Sequence, residues 1–231
     1  MVKENKLSII MPVYNESRTI ARIIQKVMAV KLNKELIIVD DGSSDSTKDF
    51  LKAIKHPGIK VLFHSKNKGK GSAIRTALAQ ATGEIIVIQD ADLEYNPEEY
   101  HKLIKPIIDG KSKVVYGTRF SHKGSYPYYL DKFYLATRIL TFTTNLLYSS
   151  NITDESTCYK VFSSEVIKNL NLKCKRFEFC PEVTAKVLKR GFKITEVPIT
   201  YAPRTTKQGK KINWKDAFQA FFTLIKFRFK N

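Results

Sequence analysis

The chain has 231 residues, 43% of them apolar, enough for one large α/β domain with a sizeable core, or one domain with an appendage. Forty basic against 22 acidic side chains leave a net charge of +18, so the expected partners are anionic: nucleic acid, a phosphorylated small molecule or an acidic membrane face. Cys158, Cys174 and Cys180 show no C-x-x-C spacing and the histidines are scattered, which excludes a zinc pattern and suggests free thiols of a reducing compartment; no secretory signal precedes Leu7, and no apolar run reaches the ~18 residues of a membrane-spanning helix.

In chain order, residues 7–11 read as a short strand that Pro12 stops. The loop Pro12, Val13, Tyr14, Asn15, Glu16, Ser17 follows, and Ile20, Ile23, Ile24 and Val27 recur at helical spacing, so a helix starts near Ser17. This strand–loop–helix has none of the glycines of a dinucleotide-binding turn, which argues against NAD. Tyr14 could stack on a nucleobase and Glu16 could accept hydrogen bonds from its polar edge; a helix cap is the plain structural alternative. Residues 36–39 form a second buried strand, closed by Asp40, Asp41 and Gly42, and Asp45 or Ser46 suits the N-cap of a helix through Ile54. Residues 60–63 are a third strand. The following Asn67, Lys68, Gly69, Lys70, Gly71, Ser72 lacks P-loop spacing and reads as a flexible basic turn beside a nucleotide, ahead of an Ala-rich helix to Ala81.

The rest of the chain is organised around the next stretch. Ile85, Ile86, Val87 and Ile88 are four consecutive apolar residues, the pattern of a strand buried on both faces, yet the strand runs directly into Gln89, Asp90, Ala91 and Asp92. Residues two apart on an extended chain point the same way, so Asp90 and Asp92 converge just past the carboxyl end, the edge where open α/β sheets bind ligands. Two carboxylates held close repel unless a cation sits between them, and a hard divalent ion carrying phosphate oxygens suits that arrangement. A surface turn with two solvated acids is the alternative.

Beyond it, Pro97 opens a helix over 98–108, residues 114–117 form a strand followed by Thr118 and Arg119, and residues 128–148 are largely helical and aromatic. Residues 153–162 read as a turn and strand, and Pro181 starts a helix to Arg190 that Gly191 caps. Residues 196–201 precede Arg204 and a basic run to Lys211. In the last segment, 212–231, Trp214, Phe218, Phe221, Ile225 and Phe229 share one face, which either packs on the domain or lies on a membrane.

Taken together, Pro12-Val13-Tyr14-Asn15-Glu16, Val39-Asp40-Asp41-Gly42-Ser43, Asn67-Lys68-Gly69-Lys70-Gly71 and Asp90-Ala91-Asp92 resemble the ordered motifs of family 2 glycosyltransferases. Gly117-Thr118-Arg119, the 154–162 segment and residues 196–204 resemble the dolichyl-phosphate mannose synthase-like branch. The resemblance implies a GT-A (nucleotide-diphospho-sugar transferase) fold, α/β with a mostly parallel central sheet flanked by helices. It spans residues 1–211; residues 212–231 read as a C-terminal amphipathic helix, for which packing on the domain and association with a membrane both stay open. It implies a donor of the GDP-mannose or UDP-glucose type bound by Pro12, Tyr14, Glu16, Val39, Asp41, Asp90, Ala91 and Asp92, with Mg2+ or Mn2+ on Asp90 and Asp92. Arg119 would contact the sugar or the acceptor phosphate, Arg204 and Lys210 would close over the donor phosphates, and Asp92, Arg119 and Arg204 would carry the catalysis. The sequence departs from the synthases where Glu94 replaces a metal-ligating Gln; a glutamate can ligate the ion too, so Glu94 is taken as a third metal ligand. In the acceptor helix Thr141 replaces a Ser and Arg138 is one position off an Arg. Residues 204–210 also depart, so that Lys211 could serve for Lys210.

The expected reaction is inverting transfer of a sugar to a polyprenyl phosphate, dolichyl or undecaprenyl, held by Arg119, Arg138 and Thr141. It would take place at the cytoplasmic face of an anionic membrane, and a separate membrane subunit stays open as a partner. Two alternatives are a sugar-hydroxyl acceptor, with Asp154 and Glu155 as candidate bases, and a non-catalytic nucleotide-sugar-binding protein. A nucleic-acid partner would account for the charge but for none of the strand-end acids.

Overall fold

A computed structural model describes residues 5–120, 132–204 and 214–230. Strands β1 (Leu7–Val13), β2 (Lys34–Asp40), β3 (Ile59–Phe63), β4 (Ile85–Ile88), β5 (Val114–Thr118), β6 (Lys160–Ser163) and β7 (Ile194–Pro198) form one sheet in the order β3-β2-β1-β4-β6-β5-β7. All neighbours are parallel except β6, which runs antiparallel to both β4 and β5. The central strands are unbroken apolar runs because both faces are covered: Ile9, Ile10, Ile37, Ile38, Ile86 and Val87 are wholly buried. Helices α1 (Ile20–Ala29), α2 (Thr47–Lys52) and α3 (Lys70–Leu78) connect the first four strands, and α1 buries the stripe Ile20, Ile23, Ile24, Val27 that its 3.6-residue period predicts. Helix α4 (Tyr100–Ile108) follows a 3-10 turn at Pro97–Glu99.

Pro12 does not stop β1. The strand continues to Val13 in register with β2, while its pairing with β4 ends at Ile10 opposite Ile88. The Val13 carbonyl accepts from Asp41 N, so by alternation the Pro12 nitrogen, which has no hydrogen, faces the side where pairing has already ended. Helix α1 also begins three residues later than its sequence suggests, and the short α6 (Ser164–Asn169), which the sequence did not announce, follows β6 directly.

The last helix sits differently from its expected face. Helix α8 (Trp214–Phe229) packs against α5 (Lys132–Tyr148) and α7 (Phe179–Lys189) through Ala220, Leu224 and Phe227, joined by Leu140 and Ala185, and the Tyr148 hydroxyl donates to the Leu224 carbonyl at 2.6 Å. Of the aromatic face expected to act together, Phe218 and Phe229 are exposed and Phe221 and Ile225 are half-buried.

Candidate active site

The site lies past the carboxyl ends of β1, β2, β4 and β5. Gln89 follows β4 and is wholly buried; its Oε1 accepts from the Tyr159 hydroxyl at 2.8 Å and from Tyr100, and its Nε2 donates to the Asp90 carbonyl at 2.9 Å. That clamp fixes the backbone on which Asp90 and Asp92 stand. Asp90 is ion-paired with Lys70 Nζ at 2.6 Å. Burial acts to lower the Lys70 pKa, but Asp90 raises it further, so the ammonium stays charged.

Lys70 is the first residue of α3, and the turn before it is tied down rather than flexible. Asp41 Oδ1 accepts from Lys68 N at 2.9 Å and meets His64 Nδ1 at 2.6 Å; Oδ2 accepts from Gly69 N at 2.7 Å. Gly71 N and Ser72 N donate to the carbonyls of Arg176 and Lys175, at 3.0 and 2.9 Å. These first amides of α3 are therefore satisfied by protein carbonyls and are not a phosphate cradle. Gly69 has φ +95°, and a Cβ there would collide with the Lys175 carbonyl, so glycine is required.

A second cluster surrounds Arg204. Its guanidinium donates to Glu16 Oε2 at 3.0 Å and to Asp92 Oδ2 at 3.1 Å, and its backbone N donates to Glu94 Oε1 at 2.9 Å. Glu94 Oε2 accepts from the Tyr201 hydroxyl at 2.7 Å. Leu93, between the two acids, has φ +63°, a left-handed conformation that a bulky residue adopts only under tertiary constraint. Burial and the carboxylates of Asp90 and Glu94 push the Asp92 carboxyl up to about 7, with Arg204 opposing them. Crowded oxygen ligands of this kind fit a hard divalent cation. Among the described residues, however, no three candidate ligands already converge. Lys70 and Arg204 hold the motif's carboxylates instead, and Glu94 is engaged by residues 201–204.

The third group lies beyond β5. Arg119 is 5% exposed and Asp154 wholly buried. Arg119 grips Asp154 with Nε and Nη2, both at 2.7 Å, and with its backbone N at 3.1 Å. Burial would lower the Arg119 pKa, and Asp154 holds it well above its ordinary value. Arg138 Nη1 donates to the Thr153 carbonyl at 3.0 Å, and the buried Thr141 hydroxyl accepts from Glu155 N at 3.1 Å. Both α5 residues thus brace the 153–155 turn. Tyr201 links the two clusters, its hydroxyl on Glu94 and its ring 4.9 Å from the Arg119 guanidinium.

The structure brings Glu16, Asp92, Glu94 and Arg204 together, sets Asp90 beside them on Lys70, and gathers Arg119, Arg138 and Thr141 around Asp154. Val39 and Ala91 are buried, so a ligand would meet mainly their backbones, while Pro12 and Tyr14 are half-buried. Lys210 and Lys211 lie outside the described residues. Sequence reasoning assigned no role to Lys70 or Tyr201. Asp40, wholly buried with no partner for Oδ1, is a further acceptor at this edge.

A mostly parallel sheet with an Asp-x-Asp turn, a paired Arg and strand-end acids at its carboxyl edge defines a GT-A glycosyltransferase. The chain belongs to glycosyl transferase family 2, whose model matches residues 8–170. It is 28% identical to a UDP-N-acetylglucosamine–dolichyl-phosphate N-acetylglucosaminyltransferase of Methanococcus voltae, covering 94% of each chain. It is 30% identical to a dolichol-phosphate mannosyltransferase of Pyrococcus furiosus, over 89% of this chain and 59% of that one. In fold it is similar to glucosyl-3-phosphoglycerate synthase of Mycobacterium tuberculosis, solved with Mn2+, UDP and glucosyl-3-phosphoglycerate: TM-score 0.74, 20% identity, 98% of this chain and 81% of that one. The relatives support the dolichyl-phosphate glycosyltransferase branch.

Proposed function

We propose that the protein transfers a sugar, with inversion, from a nucleotide diphosphate donor to a polyprenyl phosphate at the cytoplasmic face of a membrane, to which it binds peripherally. The observation that carries the acceptor assignment is the Arg119–Asp154 pair. A hydroxyl acceptor must lose a proton to a positioned base. The two carboxylates considered for that task, Asp154 and Glu155, are both wholly buried; the oxygens of Asp154 are engaged by Arg119, and those of Glu155 accept from the hydroxyls of Ser156 and Thr184. A phosphate monoester, with a second pKa near ~6, is already anionic at neutral pH and needs cations for placement rather than a base. Arg119, turned with one edge to Asp154, would meet it with the other edge, and Arg138 adds a second guanidinium on the neighbouring helix.

On the donor side, Arg204 is held between Glu16 and Asp92, and it would turn from these carboxylates to the diphosphate as charge builds on the leaving group. Lys70 lies beside Asp90 with the same capacity. Asp90 and Asp92 would hold Mg2+ or Mn2+, with Glu94 joining only if it releases Tyr201 and Arg204 N; bound there, the ion would supply Lewis-acid stabilisation of the diphosphate. The UDP-N-acetylglucosamine in the name of the Methanococcus voltae relative supports a nucleotide-sugar donor, and screening such donors for metal-dependent thermal stabilisation would identify it. The decisive assay offers the purified protein, in detergent with donor and Mg2+ or Mn2+, a short-chain polyprenyl phosphate and the matching polyprenol. Glycosylation of the phosphate alone is expected; glycosylation of the alcohol or of sugar hydroxyls, with the phosphate untouched, would overturn the assignment.

A further inference from the structure

Three consecutive residues seat the acceptor side of the site. Arg138 Nη1 donates to the Thr153 carbonyl, Arg119 grips the Asp154 carboxylate, and Glu155 N donates to the Thr141 hydroxyl. The 153–155 turn is therefore the common support of the three side chains expected to meet the acceptor. It belongs to the connection between α5 and β6 and lies outside every strand, so no ladder of backbone bonds holds it in place. Other groups must do so.

Glu196 supplies the main anchor. It stands on β7 in parallel register with Tyr116 of β5, the strand that ends just before Arg119. Its Oε2 accepts from Thr153 N at 2.8 Å and its Oε1 from Asp154 N at 3.0 Å, one oxygen for each of two successive amides. The Thr118 and Thr153 hydroxyls add a contact at 2.6 Å from the end of β5. Glu196 is half-buried, burial pushes its carboxyl up, and the two amides oppose that shift. Among the described residues no basic side chain pairs with it, and Asp154 stands close enough to raise its pKa as a like charge. An acid in that place is unfavourable if it only fills space. A carboxylate, however, offers acceptor oxygens to both amides, whereas a glutamine of the same size offers one and turns an NH2 group toward the other.

We propose that Glu196 is a positioning residue for the acceptor: by fixing the 153–154 backbone it sets the spacing and direction of the Arg119 and Arg138 guanidiniums. That these guanidiniums hold a phosphate rests on the polyprenyl-phosphate reading. Arg119 comes from the end of β5 and Arg138 from α5, and the turn brings them into one frame, through the Asp154 side chain for the first and the Thr153 carbonyl for the second. The two seats are adjacent in the chain, so a shift of the turn displaces both cations together, and a misplacement of ~1 Å is enough to weaken a site that depends on their separation. The donor-side pairs, Lys70 with Asp90 and Arg204 with Asp92, do not pass through this turn. The effect of Glu196 therefore falls on the acceptor and not on the donor.

The test is steady-state kinetics of the full chain in detergent with Mg2+ or Mn2+. The donor is UDP-N-acetylglucosamine or GDP-mannose, whichever stabilises the wild type, and the acceptor is a short-chain polyprenyl phosphate. Glu196→Gln should raise the KM for the acceptor about tenfold, leave kcat within about twofold, and leave both the donor KM and the donor-induced rise in Tm as in the wild type. Glu196→Asp keeps the charge but stops one methylene short of the amides, and it should raise the acceptor KM in the same direction. Both substitutions are close in size to glutamate at a half-buried position, and a cooperative unfolding transition would show that each variant folds. The proposal is overturned if both variants keep the wild-type acceptor KM, whatever their Tm, or if donor and acceptor KM rise together, as general loosening of the fold would produce. If the wild type glycosylates a hydroxyl instead of the phosphate, the polyprenyl-phosphate reading fails, and the same split, read on that acceptor, decides the role of Glu196 separately.

Discussion

Asp154→Ala separates a structural carboxylate from a catalytic base. Asp154 receives three hydrogen bonds from Arg119, two of them from the guanidinium at 2.7 Å, in a place where Arg119 is 5% exposed and Asp154 not at all. Removing one member of a buried pair strands the other charge in a low dielectric, which costs about 3–5 kcal/mol. At ~2–4 °C per kcal/mol for a domain of this size, the loss should lower Tm by about 10 °C. Asp154→Asn keeps one carbonyl oxygen as acceptor and should fall by roughly half of that. The double variant Arg119→Met/Asp154→Leu removes both charges and should recover most of the stability while losing transfer. Thermal unfolding of the three variants is the assay. If Asp154→Ala keeps the wild-type Tm and only its turnover collapses, Asp154 is acting as a base and the reasoning that favours a phosphate acceptor fails.

Asp92→Asn should fold normally and lose about 10^2-fold or more in turnover, read in the transfer assay across a metal titration, because the site loses a carboxylate on which charge stabilisation depends. Glu35 supplies the pH prediction: burial alone would raise its pKa, but hydrogen bonds from Ser8, Thr82 and Lys6 bring it from 4.5 down to about 2. Its contribution is therefore fully present above pH 4.5 and lost as pH falls toward 2, so Glu35→Gln should flatten the fall in Tm across that acid range, and an unchanged slope would refute it. Gly69→Ala must put a Cβ at φ +95° against the Lys175 carbonyl; it should cost more than about 1 kcal/mol by denaturant unfolding and weaken donor-induced stabilisation, since the turn that delivers Lys70 to Asp90 would shift.

What the sequence reveals of this site follows the range of the interactions. Residues 85–92 are legible because a strand covered on both faces must be a continuous apolar run, and acids at its end stand out against it. The pairing of Arg119 with Asp154 is not legible: the two are 35 residues apart and meet only because β6 returns antiparallel beside β5. Arg204 and Glu16 are 188 residues apart, and only the folded chain shows that the acid considered for a nucleobase holds the cation considered for the diphosphate. The basic turn at 67–72 looks mobile from its glycines, yet Asp41 and the carbonyls of Lys175 and Arg176 bind its amides, partners that no local pattern announces.

Helix α8 shows where periodicity stops. Its aromatic residues recur on more than one face, so a 3.6-residue period picks out a row without saying whether that row points inward. The partner decides: α5 and α7 approach closely enough that the small Ala220, with Leu224 and Phe227, fits between the helices, and Phe218 and Phe229 are left outside. The polar residues carry the missing sign. Asp216 and Thr223 are buried on the same side as Ala220, whereas Lys215, Lys226 and Arg228 are exposed. A helix that buries its one acid and exposes its bases beside phenylalanines has an outer surface that is both apolar and cationic.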